Sequence, residues 1–436
     1  MRPSNTTIAA PHANAVGVGA TLQDGLDVLD PELSRLVVQE RRRQNETINL
    51  IASESYCPRA TLEAESSILV SKNATGYPGR RAVAGCEIMD EIERLAQARA
   101  LSLFGGEHAN IQALSSTIAN IAVLRGLLEP GARVLALDEA AGGHHSHGAS
   151  YHLSGRDYHV TLFGLDEVSG TIDLDALRRT ALELRPAMII AGSTACPRAI
   201  DFAGLAAVAR EAGALLVADI AHVAGLVAAG LHANPTACAD VVTTSTHKTL
   251  CGPRTGGLIL SRAAHADRID HALFPGLQGA PGAHIIAARA ALFAWAARPG
   301  FRALMQAVLD NARALAEGLR EAGCQLYLGG TDTHMIVVDL RAEPGSAAAI
   351  ERRLAGHGVL TNRVPLPRRP GDRGEGGLRI GTTAMTLRGM GPDDFAGLAR
   401  LMGPVLKTGT EAAAIDANLS HRVLEMARAF PVPPSF

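Results

Sequence analysis

The stretch Asp240-Val-Val-Thr-Thr-Ser-Thr-His-Lys-Thr-Leu-Cys-Gly-Pro-Arg-Thr-Gly257 decides how this chain is organised. Its β-branched run from Val241 to Thr246 reads as a buried strand. The strand delivers Lys248 into a Gly/Pro loop, and a second strand, Gly257-Leu-Ile-Leu260, follows. A solvated turn lysine is one reading of that loop. The other is chemical: among hydroxyls and beside His247, desolvation lowers a lysine's pKa and frees its amine as a Schiff-base nucleophile.

Working back from that stretch, strands alternate with helices. Ala214–Ala218 reads as a strand running into Asp219-Ile-Ala-His222, preceded by a helix over 205–212. Before it stand the strand Ala187–Gly192, with Thr194 beyond, a helix over 175–184 and the strand at Thr161–Phe163. Such alternation predicts an α/β fold with a large, doubly wound, mainly parallel sheet. Ligands in such sheets bind beyond the carboxyl ends of the strands, where Asp219, His222 and Lys248 all fall.

Further back, the strand Arg133–Asp138 opens into Glu139-Ala-Ala-Gly-Gly-His-His-Ser-His-Gly148. His145 and His147, two apart, face opposite ways in an extended segment, and no partner follows at ligand spacing, so no metal is expected. Ser115, Ser116 and Thr117 stand at the start of a helix, where hydroxyls and free N–H groups either cap it or hold an anion. The string Gly76-Tyr-Pro-Gly-Arg-Arg81 predicts an irregular loop, followed by a helix over 88–104. Asp30 with Pro31 predicts a helix start, and Ile48–Tyr56, containing Ser53, follows that helix. On the other side, Phe274-Pro-Gly-Leu-Gln-Gly279 is a second irregular loop. A boundary at 295–300 then opens a smaller lobe with a helix over 302–322, the strand Met335–Asp339, a Pro/Arg/Gly loop at 364–377, and Arg379 in Leu378–Ala384.

The 436 residues predict more than one lobe. With 47% hydrophobic and 19% charged residues the chain can fill a large core. A net charge of −2 offers no basic field for nucleic acid or an anionic membrane. No apolar run reaches the roughly 18–20 residues of a membrane span. Six cysteines at 57, 86, 196, 238, 251 and 324, without a CxxC pair, read as reduced thiols in a cytoplasmic protein. The first residues lack a signal-peptide pattern and are expected to form a mobile tail.

The string Ser-Thr-His-Lys-Thr-Leu-x-Gly-Pro-Arg around Lys248 resembles the pyridoxal-phosphate lysine motif of the serine hydroxymethyltransferase family, and the likeness extends over about residues 30–430. The resemblance implies fold-type I architecture: a tail (1–30), an N-terminal helix and arm (31–72), a large cofactor domain (73–298) and a small C-terminal α+β domain (299–436). It implies pyridoxal 5'-phosphate as a Schiff base on Lys248, with Asp219 on the pyridine nitrogen and His144 stacked on the ring. Thr194 lies near the phenolic oxygen and Ser116 and Thr117 at the phosphate. His222, Ser245 and His247 complete the cofactor site, with Gly279 supplied by a second subunit. Ser53 and Arg379 are implied for an amino acid substrate, Glu139, His145 and Asn362 for the folate side. A homodimer or dimer of dimers is implied, with the 73–85 loop entering the partner's site.

Five positions depart from the family's pattern. Asn73, Thr75 and Val83 replace a tyrosine, the proton-transfer glutamate and a second tyrosine, while Glu139 and His145 replace the apolar clamps of the folate ring. Tetrahydrofolate is therefore a doubtful co-substrate. Three readings stay open: a serine/glycine hydroxymethyltransferase, a folate-independent threonine-type aldolase or transaldolase using a polar aldehyde, and an inactive cofactor-binding homologue.

Overall fold

Strands Met188–Gly192, Leu215–Asp219 and Val241–Ser245 lie side by side and are buried almost throughout. Their alternate residues sort onto two faces, as the period of a strand requires. Ile189, Ala191, Leu216, Ala218 and Val242 enter one apolar cluster, and Met188, Ile190, Val217 and Val241 the other. Helix Phe202–Ala212 covers the first face, and helix Ser116–Leu127 covers the second. A sheet covered on both sides explains why these strands read as continuous apolar runs.

This computed structural model describes residues 24–166, 169–343, 346–368, 372, 376–407 and 417–434. Within them the large sheet has seven strands: β1 (His108–Asn110), β2 (Arg133–Leu137), β3 (His159–Phe163), β4 (Met188–Gly192), β5 (Leu215–Asp219), β6 (Val241–Ser245) and β7 (Gly257–Ser261). Their order is β1-β7-β6-β5-β4-β2-β3. The pairs from β6 through β3 are parallel. β7 runs antiparallel to both β6 and β1, so the sheet is mixed. The cause is local: the lysine loop returns the chain directly, without the crossover helix that a parallel neighbour requires.

The second lobe has its own apolar cluster, built on the antiparallel sheet β8 (Met335–Asp339), β10 (Gly377–Gly381) and β9 (Asn362–Val364), in the order β8-β10-β9. Its first helix, α1 (Pro299–Glu321), begins three residues before the expected 302, because Pro299 suits the first helical turn. The N-terminal arm belongs to this lobe's packing. Ile48–Asn49 pairs with Val359–Leu360, and Ile48 and Leu50 enter its core. Of the expected tail, residues 1–23 lie outside the described residues, while Leu26–Leu29 forms a helical turn. Among the described residues no helix is long and apolar enough to cross a membrane.

Candidate active site

β6 ends at Ser245 and the chain turns tightly. Gly252 N–H donates to Thr246 O at 2.6 Å, and Thr246 Oγ1 donates to Pro253 O at 2.9 Å. Cys251 takes a φ of 62° within this turn. That conformation costs a non-glycine residue about 1–2 kcal/mol and persists only where its surroundings impose it. Lys248 stands in the turn, 8% exposed. Among the described residues its ammonium makes no hydrogen bond or ion pair. Burial pulls its pKa down to about 8 against the opposing pull of the Asp219 carboxylate, and Arg379 and Arg254 push the same way as burial. The fully buried Arg289 braces the loop by donating to Thr255 O and Gly257 O, as well as to Ile111 O and Ala113 O.

Asp219 closes β5 at the floor of the site. Its Oδ2 accepts from Asn120 Nδ2 at 2.9 Å and lies 3.0 Å from His147 Nε2, and its Oδ1 accepts from Ala221 N at 2.9 Å. Burial alone would raise its pKa, but the bonds from His147 and Asn120 outweigh it and hold the carboxyl well below the usual range. His147 Nδ1 accepts from His144 N at 3.4 Å, leaving the proton on Nε2 to face Asp219. His144 Nδ1 is bonded to Ser146, and burial drops its pKa to about 3, so its ring is neutral at pH 7. An acid kept charged beside a neutral flat ring fits a protonated pyridine seated between them.

Ser115 caps helix Ser116–Leu127, its Oγ accepting from Ile118 N at 3.1 Å. The hydroxyls of Ser116 and Thr117 make no bond among the described residues, so both capping and anion binding are available at this one helix end. Gly257 presses against it, since a Cβ there would lie 2.3 Å from Ser115 O. Gln278 bridges to the same turn through Leu114 N and Gln112 O. Gly279, next to it, faces open space.

From the small lobe, Arg379 on β10 reaches this floor. Its Nε donates to Asn362 Oδ1 at 3.1 Å, and its Nη1 donates to Thr194 O and lies 3.5 Å from His222 Nε2. Burial lowers its pKa only to about 10, so it remains a cation. Thr194 Oγ1 donates to Gly143 O at 3.0 Å, fixing the segment that carries His144. His222 stacks on His334 at 5.6 Å, and burial keeps both neutral. Among the described residues their Nδ1 atoms, with that of His247, have no partner, an orphaning that a bound polar group would relieve. Ser245 is fully buried, its Oγ 3.4 Å from Ala221 O.

The predicted residues thus converge, with adjustments. Asn362 is a direct brace of Arg379. Ser53 lies in the turn after Ile48–Asn49, but Ser55 makes the contact with the lysine loop, donating to His247 O at 2.8 Å. Thr75 Oγ1 donates to Asn73 Oδ1, and Val83 packs on the main core. Glu139 accepts from Tyr151 OH at 2.9 Å, and the His145 ring lies 3.8 Å from that of His144, tilted by 37°, and approaches His152 at 5.3 Å. Sequence reasoning missed Asn120, His334, Tyr151, His152 and the role of His147. Asn120 was detectable, since it lies one helical turn after Ser116 on the sheet-facing side.

The chain is similar to known proteins along most of its length. The family model described as serine hydroxymethyltransferase matches residues 26–402. Serine hydroxymethyltransferase 1 of Bordetella parapertussis is 47% identical over 411 residues, covering 93% of this chain and 95% of that protein. Serine hydroxymethyltransferase 1 of Mycobacterium tuberculosis is 44% identical over 431 residues, covering 97% of each.

Proposed function

Because the chain belongs to the serine hydroxymethyltransferase family, and is on that ground a pyridoxal-phosphate-dependent hydroxymethyltransferase acting between serine and glycine, we propose that Lys248 is the residue that carries the cofactor. The observation that supports this most is a buried ammonium, unbonded among the described residues, that burial brings down to about pKa 8 against the pull of the Asp219 carboxylate. When bound, the cofactor supplies an electron sink for the bond broken at Cα. Asp219, held ionised by His147 and Asn120, keeps the ring nitrogen protonated. His144 offers an uncharged face, and Ser116 and Thr117 take the phosphate. Ser245, His247 and His222 line the rest of the cofactor's bed. Arg379 takes the substrate carboxylate with a guanidinium already oriented by Asn362 and Thr194, a fork geometry that lysine does not match. Ser53 flanks the same carboxylate end.

We assign the cofactor site to the large lobe (73–298) and the carboxylate arginine to the small one (299–436). A homodimer is supported by apolar side chains left open on the surface: Leu33, Leu36 and Val37 on helix Pro31–Asn45, and Ile68 and Ile88 near the 73–85 loop. Gly279 facing open space fits a loop offered to a second subunit. All six cysteines are free, which fits a cytoplasmic setting.

Tetrahydrofolate is disfavoured as acceptor by the carboxylate of Glu139, bonded to Tyr151, at a position where the family resemblance implies an apolar side chain against the face of the folate ring system. Covering an anion there costs several kcal/mol, of the size of the effective penalty for burying an ion. The assignment of Lys248 is tested by borohydride reduction and peptide mapping. The cofactor label maps to Lys248 in the native protein, and Lys248→Ala loses both the label and about 10⁴-fold or more in turnover. A label on another lysine contradicts it.

A further inference from the structure

The wall beyond His144 is continuous, polar and under-bonded. Glu139 and Ala141 bound one short helical turn, His145 and His147 the next, and the turns closed by Ala149 N on His145 O and His152 N on Ala149 O bring Tyr151 and His152 back to the same rim. Tyr151, 67% exposed, donates its single hydroxyl hydrogen to the Glu139 carboxylate, which has room for about four hydrogen bonds in all. Neither ring nitrogen of His145 is bonded among the described residues. His152 uses Nδ1 on Ser154 at 2.8 Å and leaves Nε2 open. Burial lowers the pKa of both imidazoles, so each is neutral at pH 7 and offers one donor and one acceptor. The wall meets the cofactor floor through the 3.8 Å contact of the His145 and His144 rings, whose neighbour His147 bonds Asp219.

We propose that Glu139, His145, Tyr151 and His152 form an acceptor subsite for a hydrophilic aldehyde bearing hydroxyl groups beside its carbonyl, so that the enzyme also transfers the glycyl unit of a 3-hydroxy amino acid to such an aldehyde. The inference rests on the cofactor being carried by Lys248. The transfer balances without a redox partner. The donor's Cα–Cβ bond breaks and releases its aldehyde. A new Cα–Cβ bond forms to the acceptor's carbonyl carbon, and the proton lost by the donor hydroxyl ends on the new hydroxyl. The carboxylate and the two neutral imidazoles suit adjacent hydroxyls, each of which both donates and accepts. A flat apolar ring would leave those groups unsatisfied.

The test uses the cofactor-loaded protein with threonine as donor and D-glyceraldehyde as the acceptor probe. Acetaldehyde release and the mass of the new amino acid are followed, with cofactor stoichiometry and glycine affinity measured by absorbance. The expected result is a saturable new product in the native protein. In Glu139→Leu/His145→Leu the KM for glyceraldehyde rises about tenfold or more, while stoichiometry and glycine affinity hold. Threonine cleavage without the new product overturns the subsite alone, as does product formation indifferent to the two substitutions. A protein that retains no cofactor overturns the Lys248 reading and the subsite together.

Discussion

The floor of the site and its outer wall are built on opposite principles. On the floor, Asp219 is 7% exposed and accepts from Asn120, His147 and the Ala221 amide, and His144 is neutral because it is buried. On the wall, Tyr151 is open to solvent and His145 has both ring nitrogens unbonded among the described residues. A carboxylate so fully paired as Asp219 tolerates little change around it, because removing one partner strands another in a low-dielectric site. A wall facing water can exchange apolar for polar side chains at little cost in stability. The difference supports the proposal that the chemistry belongs to the floor and the choice of acceptor to the wall.

The comparison is most easily broken at Lys248, where burial works against folding. Its pKa falls from 10.5 to about 8 in the folded protein, so below pH 8 the lysine is protonated in both states and its burial penalty is fully present. Between pH 8 and 10.5 the unfolded chain holds more protons, and stability rises with pH. In the cofactor-free protein, Lys248→Met is therefore expected to gain about 3 kcal/mol at pH 7, a gain that shrinks towards pH 10. Denaturant titrations at the two pH values check it. Equal stability of both proteins at both values breaks the account of the floor.

A smaller effect belongs to His147→Leu. Asp219 loses one charge-assisted bond, and cofactor affinity should fall by between about 10- and 100-fold. Dialysis against graded cofactor concentrations reads this directly, and unchanged retention removes His147 from the floor. Smaller again is Arg379→Lys, which keeps the charge but cannot hold both Asn362 and Thr194. The KM for the amino acid should rise about tenfold, with cofactor stoichiometry unaffected. An unchanged KM would assign the carboxylate to another group.

Floor and wall were unequally legible in the sequence. Asp219, His222 and Lys248 could be placed because buried strands are continuous apolar runs and their carboxyl ends are counted off directly. The antiparallel β7 was hidden, since only the geometry of the turn between Ser245 and Gly257 shows that no crossover intervenes. His147 was misjudged by assuming an extended segment, in which it and His145 face opposite ways for no chemical purpose. The chain instead forms a short helical turn closed by Gly148 at a φ of 148°, so His147 points inward and His145 outward. Tyr151 and His152 join the wall because turns at His145–Ala149 and Ala149–His152 fold the chain back, a reversal the sequence pattern did not signal.

The most direct test of floor against wall is a calorimetric titration of tetrahydrofolate into the glycine-bound, cofactor-loaded protein. The account predicts no saturable heat for the native protein, and saturable heat once Glu139→Leu/His145→Leu supplies an apolar wall. Saturable one-to-one folate binding by the native protein, with serine cleaved in step with folate addition, would contradict it and restore an ordinary folate wall.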